Sequence, residues 1–153
     1  MSDADYMSQE KFDELTEEMK HRETVTRKEV ASQLEYAKSL GDLSENFEYH
    51  DAKDRQAANE KRVLELDALL KNAVIVESQQ GGEAINIGTT FTATRDGKET
   101  TFQVVGSNEA DPMTGKISNE SPMGRAFIGA KSGDAVKVET PSGAIQYTVS
   151  TIL

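Results

Sequence analysis

Gly41-Asp42-Leu43-Ser44-Glu45-Asn46-Phe47-Glu48-Tyr49-His50 is a polar turn between two long stretches of helical character. The stretch before it, from about Ser8 to Leu40, contains neither Gly nor Pro. Apolar, small or tolerated residues recur there at Phe12, Leu15, Met19, Arg22, Thr26, Val30, Gln33, Ala37 and Leu40, in steps of three and four. That spacing predicts a heptad-like helical seam, weakened by Arg22, Thr26 and Gln33. Gly41 suits the end of this helix, since glycine tolerates the left-handed backbone of a helix C-terminus. Asp42 and Glu45 then have the spacing of a capping box, with Asp42 as N-cap and Ser44 as the alternative cap. A second helix is predicted from about Glu45 to Asn72, with a seam at Ala52, Gln56, Asn59, Val63, Leu66, Leu70 and Ala73. This seam is apolar far from the turn and polar near it, so the expected antiparallel hairpin is packed firmly at its base and loosely at its tip. A helix of about 33 residues extends about 50 Å at 1.5 Å per residue. The rod is long for so small a chain, and its tip is expected to stand clear of any second domain.

The pattern changes after Val74-Ile75-Val76. Gln79-Gln80-Gly81-Gly82 reads as a linker or loop. Short alternating runs follow, with Asp96-Gly97 as a tight turn between strands at Thr89–Thr94 and Thr100–Val105. Lys116-Ile117-Ser118 is a candidate third strand. Ser121-Pro122 opens a short helix through Phe127, with Pro at its first position and Gly129 near its end. Ala135–Thr140, the turn Pro141-Ser142-Gly143 and Ala144–Ile152 make a last hairpin. The expected fold is therefore α+β: an N-terminal antiparallel α-helical coiled-coil hairpin over residues 1–77, with its acidic tip at 41–48, and a small domain of antiparallel sheet plus one short helix over residues 78–153.

Composition limits the function classes. The chain has 153 residues, of which 36% are hydrophobic and 29% charged, a balance that suits long solvated helices. With no Cys there is no disulfide framework and no thiolate metal site. No apolar run is long enough to span a membrane, and the acidic N-terminus lacks the apolar stretch of a signal peptide, so a cytoplasmic location and no membrane partner are expected. The net charge of −10 argues against independent strong nucleic-acid binding, which needs Lys and Arg in excess. Residues 1–77 hold 11 basic and 19 acidic side chains; residues 78–153 hold 6 and 8.

Three separated motifs resemble one family. The tip Gly41-Asp42-Leu43-Ser44-Glu45-Asn46-x-Glu48-Tyr49 is similar to the tip signature of the bacterial Gre transcript-cleavage factors, of the GreA type by its acidic balance. Val104-Val105-Gly106 with Glu109-Ala110-Asp111 is similar to a second signature. Ile117-Ser118, Ser121-Pro122-Met123-Gly124-Arg125-Ala126, Gly129, Gly133-Asp134 and Thr140-Pro141-x-Gly143 are similar to a third. The resemblance spans about Met7 to Ile152, and three motifs in order are far more specific than one.

The resemblance implies an FKBP-like C-terminal domain that binds bacterial RNA polymerase, and a coiled coil that enters the polymerase secondary channel. There the tip acids help the polymerase hydrolyse a backtracked RNA, so the nascent RNA 3′ end is the second partner. The protein, expected to be a monomer, supplies part of an active site and has none alone. Two-metal phosphodiester hydrolysis needs two divalent ions and a positioned water. Mg²⁺ takes hard oxygen ligands and is often held by one or two protein carboxylates. The resemblance makes Asp42 and Glu45 the catalytic, metal-sharing pair: Asp42 would help hold the second Mg²⁺ of the polymerase site, and Glu45 would share the metal or orient and deprotonate the water. No tightly bound cofactor is expected in the isolated protein. Ser44 and Asn46 would contact RNA or brace the acids, and Tyr49, which belongs to the motif, would touch RNA or polymerase. Lys38, Lys53 and Arg55 flank the tip as a modest basic group for emerging RNA, and Ser121, Pro122, Met123 and Arg125 are the implied polymerase-docking residues. Phe47 replaces the small residue the family pattern leads one to expect, and would make a hydrophobic contact inside the channel or pack against Leu43.

Plainer readings compete with these. Acids at a helix start cap orphan N–H groups and face the dipole favourably, at about 0.3–1 kcal/mol each. Lys53 and Arg55 would form ordinary pairs with acids such as Asp51. Met123, Phe127 and Ile128 would simply pack the short helix onto the sheet. At the level of function, a homologue that occupies the same channel and inhibits transcription shares both domains. A prolyl isomerase needs an aromatic-lined pocket, and after residue 78 the chain has only Phe91, Phe102, Phe127 and Tyr147. A structural coiled-coil adaptor leaves the tip signature unexplained.

Overall fold

The computed structural model describes residues 4–42 and 44–153. The described chain forms two compact units, Phe12–Asn72 and residues 4–11 together with Ala73–Leu153.

The hairpin unit is built from α1 (Gln9–His21, whose first turn lies in the other unit), a π-helical turn at Arg22–Thr26, α2 (Arg27–Ser39) and α3 (Phe47–Lys71). The first helix is thus not one regular rod. At the π turn the Arg27 N–H bonds the carbonyl of Arg22, five residues back. The reason is legible in the burial pattern. Leu15, Val30, Leu34 and Ala37 are buried, whereas Gln33 and Leu40 are exposed. From Arg22 the inward positions run 22, 26, 30, 34 in three successive steps of four. A 3-4-3-4 seam would have reached position 33, so the stretch carries one extra residue, and a π turn absorbs one residue.

The opposing seam of α3 buries Ala52, Asn59, Val63 and Leu66. Val30, Leu34 and Ala52 form an apolar cluster near the turn, with Tyr49 packed against it. The tip end is therefore not the loosely packed part. The polar layer lies midway, at Asn59, which is 4% exposed. Asn59 Oδ1 accepts from Arg22 Nη1 at 3.2 Å, and its Nδ2 donates to the Arg22 carbonyl at 3.2 Å. Beside it Glu18 binds Arg62 through two hydrogen bonds of 3.1 and 2.9 Å and also accepts from Arg22 at 3.3 Å. Arg62 therefore holds the Glu18 carboxyl below its usual range, with Arg22 adding to the effect. Arg27 and Glu60 form a further bidentate pair at 2.8 and 2.9 Å.

The second unit begins with a strand that sequence periodicity does not reveal, β1 (Asp5–Met7), which pairs in parallel with β2 (Ala73–Ile75). Residues 4–11 and 73–77, assigned to the hairpin from the sequence, thus belong with the sheet. Ser8 caps α1 by accepting from Lys11 N at 3.1 Å. Glu109 braces this cap, accepting from Ser8 N at 2.9 Å and Ser8 Oγ at 2.5 Å.

The main sheet has five strands in the order β5-β4-β3-β7-β6: β3 (Thr90–Arg95), β4 (Lys98–Val105), β5 (Lys116–Ser118), β6 (Ala135–Thr140) and β7 (Gly143–Ile152). All neighbours are antiparallel except β4 and β5, which run parallel. Asp96-Gly97 closes β3 onto β4 and Pro141-Ser142 closes β6 onto β7, as two-residue turns. α4 (Pro122–Phe127) packs on the sheet and buries Phe127 completely. Phe127 meets Phe91 at a centroid distance of 4.8 Å and Tyr147 at 5.5 Å. Phe102 meets Phe91 at 5.8 Å, so the four aromatics form one cluster in the core. Offset and edge contacts of this kind add about 0.5–1.5 kcal/mol per pair beyond area burial. Gly124 lets α4 approach: a Cβ there would lie 1.9 Å from the Ser118 carbonyl oxygen.

Candidate functional site: the hairpin tip

α2 ends at Ser39, and Gly41 turns the chain with φ 115°, a backbone region that favours glycine. α3 begins at Phe47, two residues after the start expected at about Glu45 and four after the one an Asp42 cap implies. Its N-cap is Asn46, whose side-chain oxygen accepts from Tyr49 N at 3.1 Å. The same side chain donates through Nδ2 to the Ala37 carbonyl at 2.6 Å, tying the start of α3 to the end of α2. One asparagine thus does the work expected of Asp42 or Ser44, because its amide both accepts from the new helix and donates to a last-turn carbonyl of the old one, which also accepts from Leu40 N.

Asp42 is thereby free of the helix. Its Oδ1 accepts from Ser44 N at 3.0 Å and from Ser44 Oγ at 2.9 Å, a local side-chain turn. These bonds, the backbone one foremost, hold the Asp42 carboxyl below its usual range and keep it ionised. The side chain is exposed, and among the described residues Oδ2 takes no hydrogen bond. A hard, ionised oxygen at the apex is the donor type that Mg²⁺ accepts, so the residue fits the metal-sharing role chemically. Glu45 is likewise exposed and unpaired among the described residues. No three His, Cys, Asp or Glu side chains gather among the described residues in a way that would hold a metal ion.

The remaining tip residues divide. Ser44 and Asn46 brace the turn. Tyr49 is half-buried against the apolar cluster, and its ring meets His50 edge-on at 5.7 Å. Lys38, Lys53 and Arg55 are all exposed. Lys53 donates to Gln56 at 3.5 Å and Arg55 to Gln33, so neither is bonded to Asp51. Phe47 is 88% exposed, and any packing of it on Leu43 falls outside the described residues. Tyr36, 60% exposed on the last turns of α2, escapes the sequence reading. An aromatic ring off the apolar seam was the signal available.

On the sheet unit, Ser121 caps α4 by accepting from Gly124 N at 3.0 Å and donates to the Ser118 carbonyl at 2.7 Å. Pro122 and Arg125 are exposed, while Met123 packs partly on the core. Ser121, Pro122 and Met123 border an apolar groove of about 190 Å³ against Val138, Ile145 and Tyr147. Among the described residues, no helix is long and apolar enough to cross a membrane.

Fold and tip together define a class: an α+β protein that presents an ionised carboxylate on the turn of a helical hairpin. Two family models cover nearly all of the chain. "Transcription elongation factor, N-terminal" matches residues 5–75, and "Transcription elongation factor, GreA/GreB, C-term" matches residues 79–153. The chain belongs to the GreA/GreB family of transcription elongation factors. It is 45% identical to transcription elongation factor GreA of Macrococcus caseolyticus over 90% of this chain and 88% of that one. Its identity to transcription elongation factor GreA of Geobacillus kaustophilus is 44%, over 95% and 94% of the two chains. The solved GreA factor homolog 1 protein of Thermus thermophilus is 26% identical over 99% of both chains, with a TM-score of 0.43.

Proposed function

We propose that this protein stimulates cleavage of backtracked RNA by bacterial RNA polymerase, the hairpin tip entering the polymerase secondary channel and lending Asp42 and Glu45 to its active site. The observation that supports this most is the state of Asp42. Its carboxylate is ionised, exposed and released from helix capping by Asn46. An acid whose purpose was capping would point its oxygens at the first turn of α3.

Mg²⁺ held by the polymerase supplies charge stabilisation and an activated water. In the chain's own contribution, Asp42 offers its unbonded Oδ2 outward while Ser44 fixes Oδ1, so the carboxylate is oriented before it meets its target. Pre-orientation of this kind lowers the cost of binding. Glu45, exposed beside it, accepts a proton from the attacking water. Asn46 keeps the turn tied to both helices. The protein completes a partner's active site and is not an enzyme by itself. Ser121, Pro122 and Arg125 and the apolar groove beside them supply the docking surface for polymerase.

Asp42→Asn is the direct test. It keeps the hydrogen bonds available to an acceptor oxygen and removes the charge. Stimulated release of short 3′ RNA fragments from backtracked complexes is expected to fall about a hundredfold or more, with binding to polymerase kept. Undiminished cleavage by this variant would falsify the metal role. Tight binding of the unaltered protein with no fragment release would instead identify a channel-occupying inhibitor.

A further inference from the structure

Beside the acidic turn, the facing surfaces of α2 and α3 form an open groove of about 570 Å³, lined by Gln33, Tyr36, Phe47, Glu48, Asp51 and Ala52. Its aromatic walls are turned to solvent, Phe47 at 88% and Tyr36 at 60% exposure. A single exposed ring is ordinary, but two that share one groove form a patch. The other lining charges are Glu48 and Asp51, both exposed, and neither carboxylate forms an ion pair among the described residues. Arg55 reaches the lining at Gln33, whose side-chain oxygen accepts from its Nη1.

This combination has a defined chemical complement. Aromatic faces attract a cation through the ring quadrupole, and a guanidinium also stacks flat on them. Carboxylates at the rim accept its N–H groups in charge-assisted bonds. We propose that the groove receives an arginine side chain of a protein partner, held between the Tyr36 and Phe47 rings and hydrogen-bonded to Glu48 and Asp51. Since the hairpin is the part that enters polymerase in the function proposed above, the inference rests on that reading, and the arginine belongs to a polymerase protein segment. A nucleic-acid occupant fits less well. A base stacks on Phe47 equally readily, but its phosphates then lie beside two carboxylates and meet repulsion instead of a cation.

The test uses the full-length protein and purified polymerase complexes carrying a backtracked RNA. Phe47→Ala, and separately Glu48→Gln combined with Asp51→Asn, are titrated against the unaltered protein, with far-ultraviolet circular dichroism to verify that each variant keeps its helices. The three side chains are exposed, so folding is expected to be retained. Each variant is expected to need about fivefold more protein for half-saturation, the range of a partly desolvated cation–π contact. A photoreactive phenylalanine analogue at position 47 is then expected to crosslink to a polymerase subunit at a segment containing arginine. Unchanged half-saturation for Phe47→Ala overturns the proposal. So does equal or tighter binding when the two carboxylates are neutralised, or a crosslink to RNA; either of these results makes the groove a base-stacking surface. If the unaltered protein neither binds polymerase nor releases RNA fragments, the functional reading itself fails and this inference falls with it.

Discussion

The two units of this molecule are held together in opposite ways. The sheet unit has one continuous apolar core, from Ile85 through the aromatic cluster to Val149, with a single short helix pinned on it by Phe127. In the hairpin unit Val30, Leu34 and Ala52 form an apolar cluster toward the tip, and Leu15, Val63 and Leu66 are buried toward the root. Between them lies a polar layer of Asn59, Arg22, Glu18 and Arg62. Two helices alone cannot enclose a core, so register has to come from directional bonds. A buried polar residue within a helical seam fixes register at some cost in stability. The unit that carries the acids is therefore the one in which a few hydrogen bonds matter most.

This contrast can be broken at either end. The largest effect is expected in the sheet unit, where Phe127→Ala empties the centre of the aromatic cluster. It should cost about 3–5 kcal/mol, read as a lowered denaturant midpoint by near-ultraviolet signal. If the hairpin is independently held, its helical signal survives to higher denaturant than the sheet's; loss of both together would mean a single cooperative unit. In the hairpin, Asn59→Ala removes both bonds to Arg22 and should cost about 1–3 kcal/mol. An unchanged helical melting curve for that variant would show that the polar layer does not hold the register. Asn46→Ala removes the cap and the tie to Ala37, with an expected loss of about 1 kcal/mol. It should also reduce stimulated cleavage, since the turn that orients Asp42 loses its anchor; full activity would separate the cap from the site.

The smallest effect concerns pH. Glu18 has its pKa lowered in the folded hairpin, chiefly by its hydrogen bonds to Arg62. A folded value below the unfolded one means stability that is fully present above the usual carboxylate range and lost as pH falls through it. The helical melting temperature should therefore decline on acidification below about pH 4. Glu18→Gln is expected to start lower at neutral pH and to decline less. Parallel pH curves for the two proteins would show that the pair contributes nothing, as many exposed pairs do.

Much of this architecture was legible in the residues, and the exceptions have physical causes. Asp96-Gly97, Pro141-Ser142 and Ser121-Pro122 act locally, and each turn or cap forms where its own residues place it. The two-helix reading also follows from local spacing. The π turn was hidden because one surplus residue looks like a run of four-residue steps through weak positions such as Thr26. β1 was hidden because three residues make no pattern, and their partner strand at Ala73–Ile75 lies far along the chain. At the tip, Asp42 and Ser44 are the expected caps, and Asn46, a cap type of nearly equal preference, escapes that reading. Only the reach of Asn46 back to the Ala37 carbonyl decides among them, and that is a tertiary contact. Asp42 and Glu45 stand out in the sequence only through the motif, and Tyr36 was overlooked because Phe47, which lines the same groove, comes from the other helix.

The parallel pairing of β1 with β2 has a consequence for length. Parallel neighbours need a crossover, and here the crossover is the entire helical hairpin, which leaves β1 at Ser8 and returns to β2 at Asn72. Both ends of the loop are clamped to adjacent strands, so the sheet senses only the two ends and not what lies between. Removing or adding matched turns on the two arms alters the length of the hairpin and leaves the clamp intact. The length of the hairpin is thus an adjustable dimension of this scaffold, set by paired insertions and independent of the strand pairing at its root.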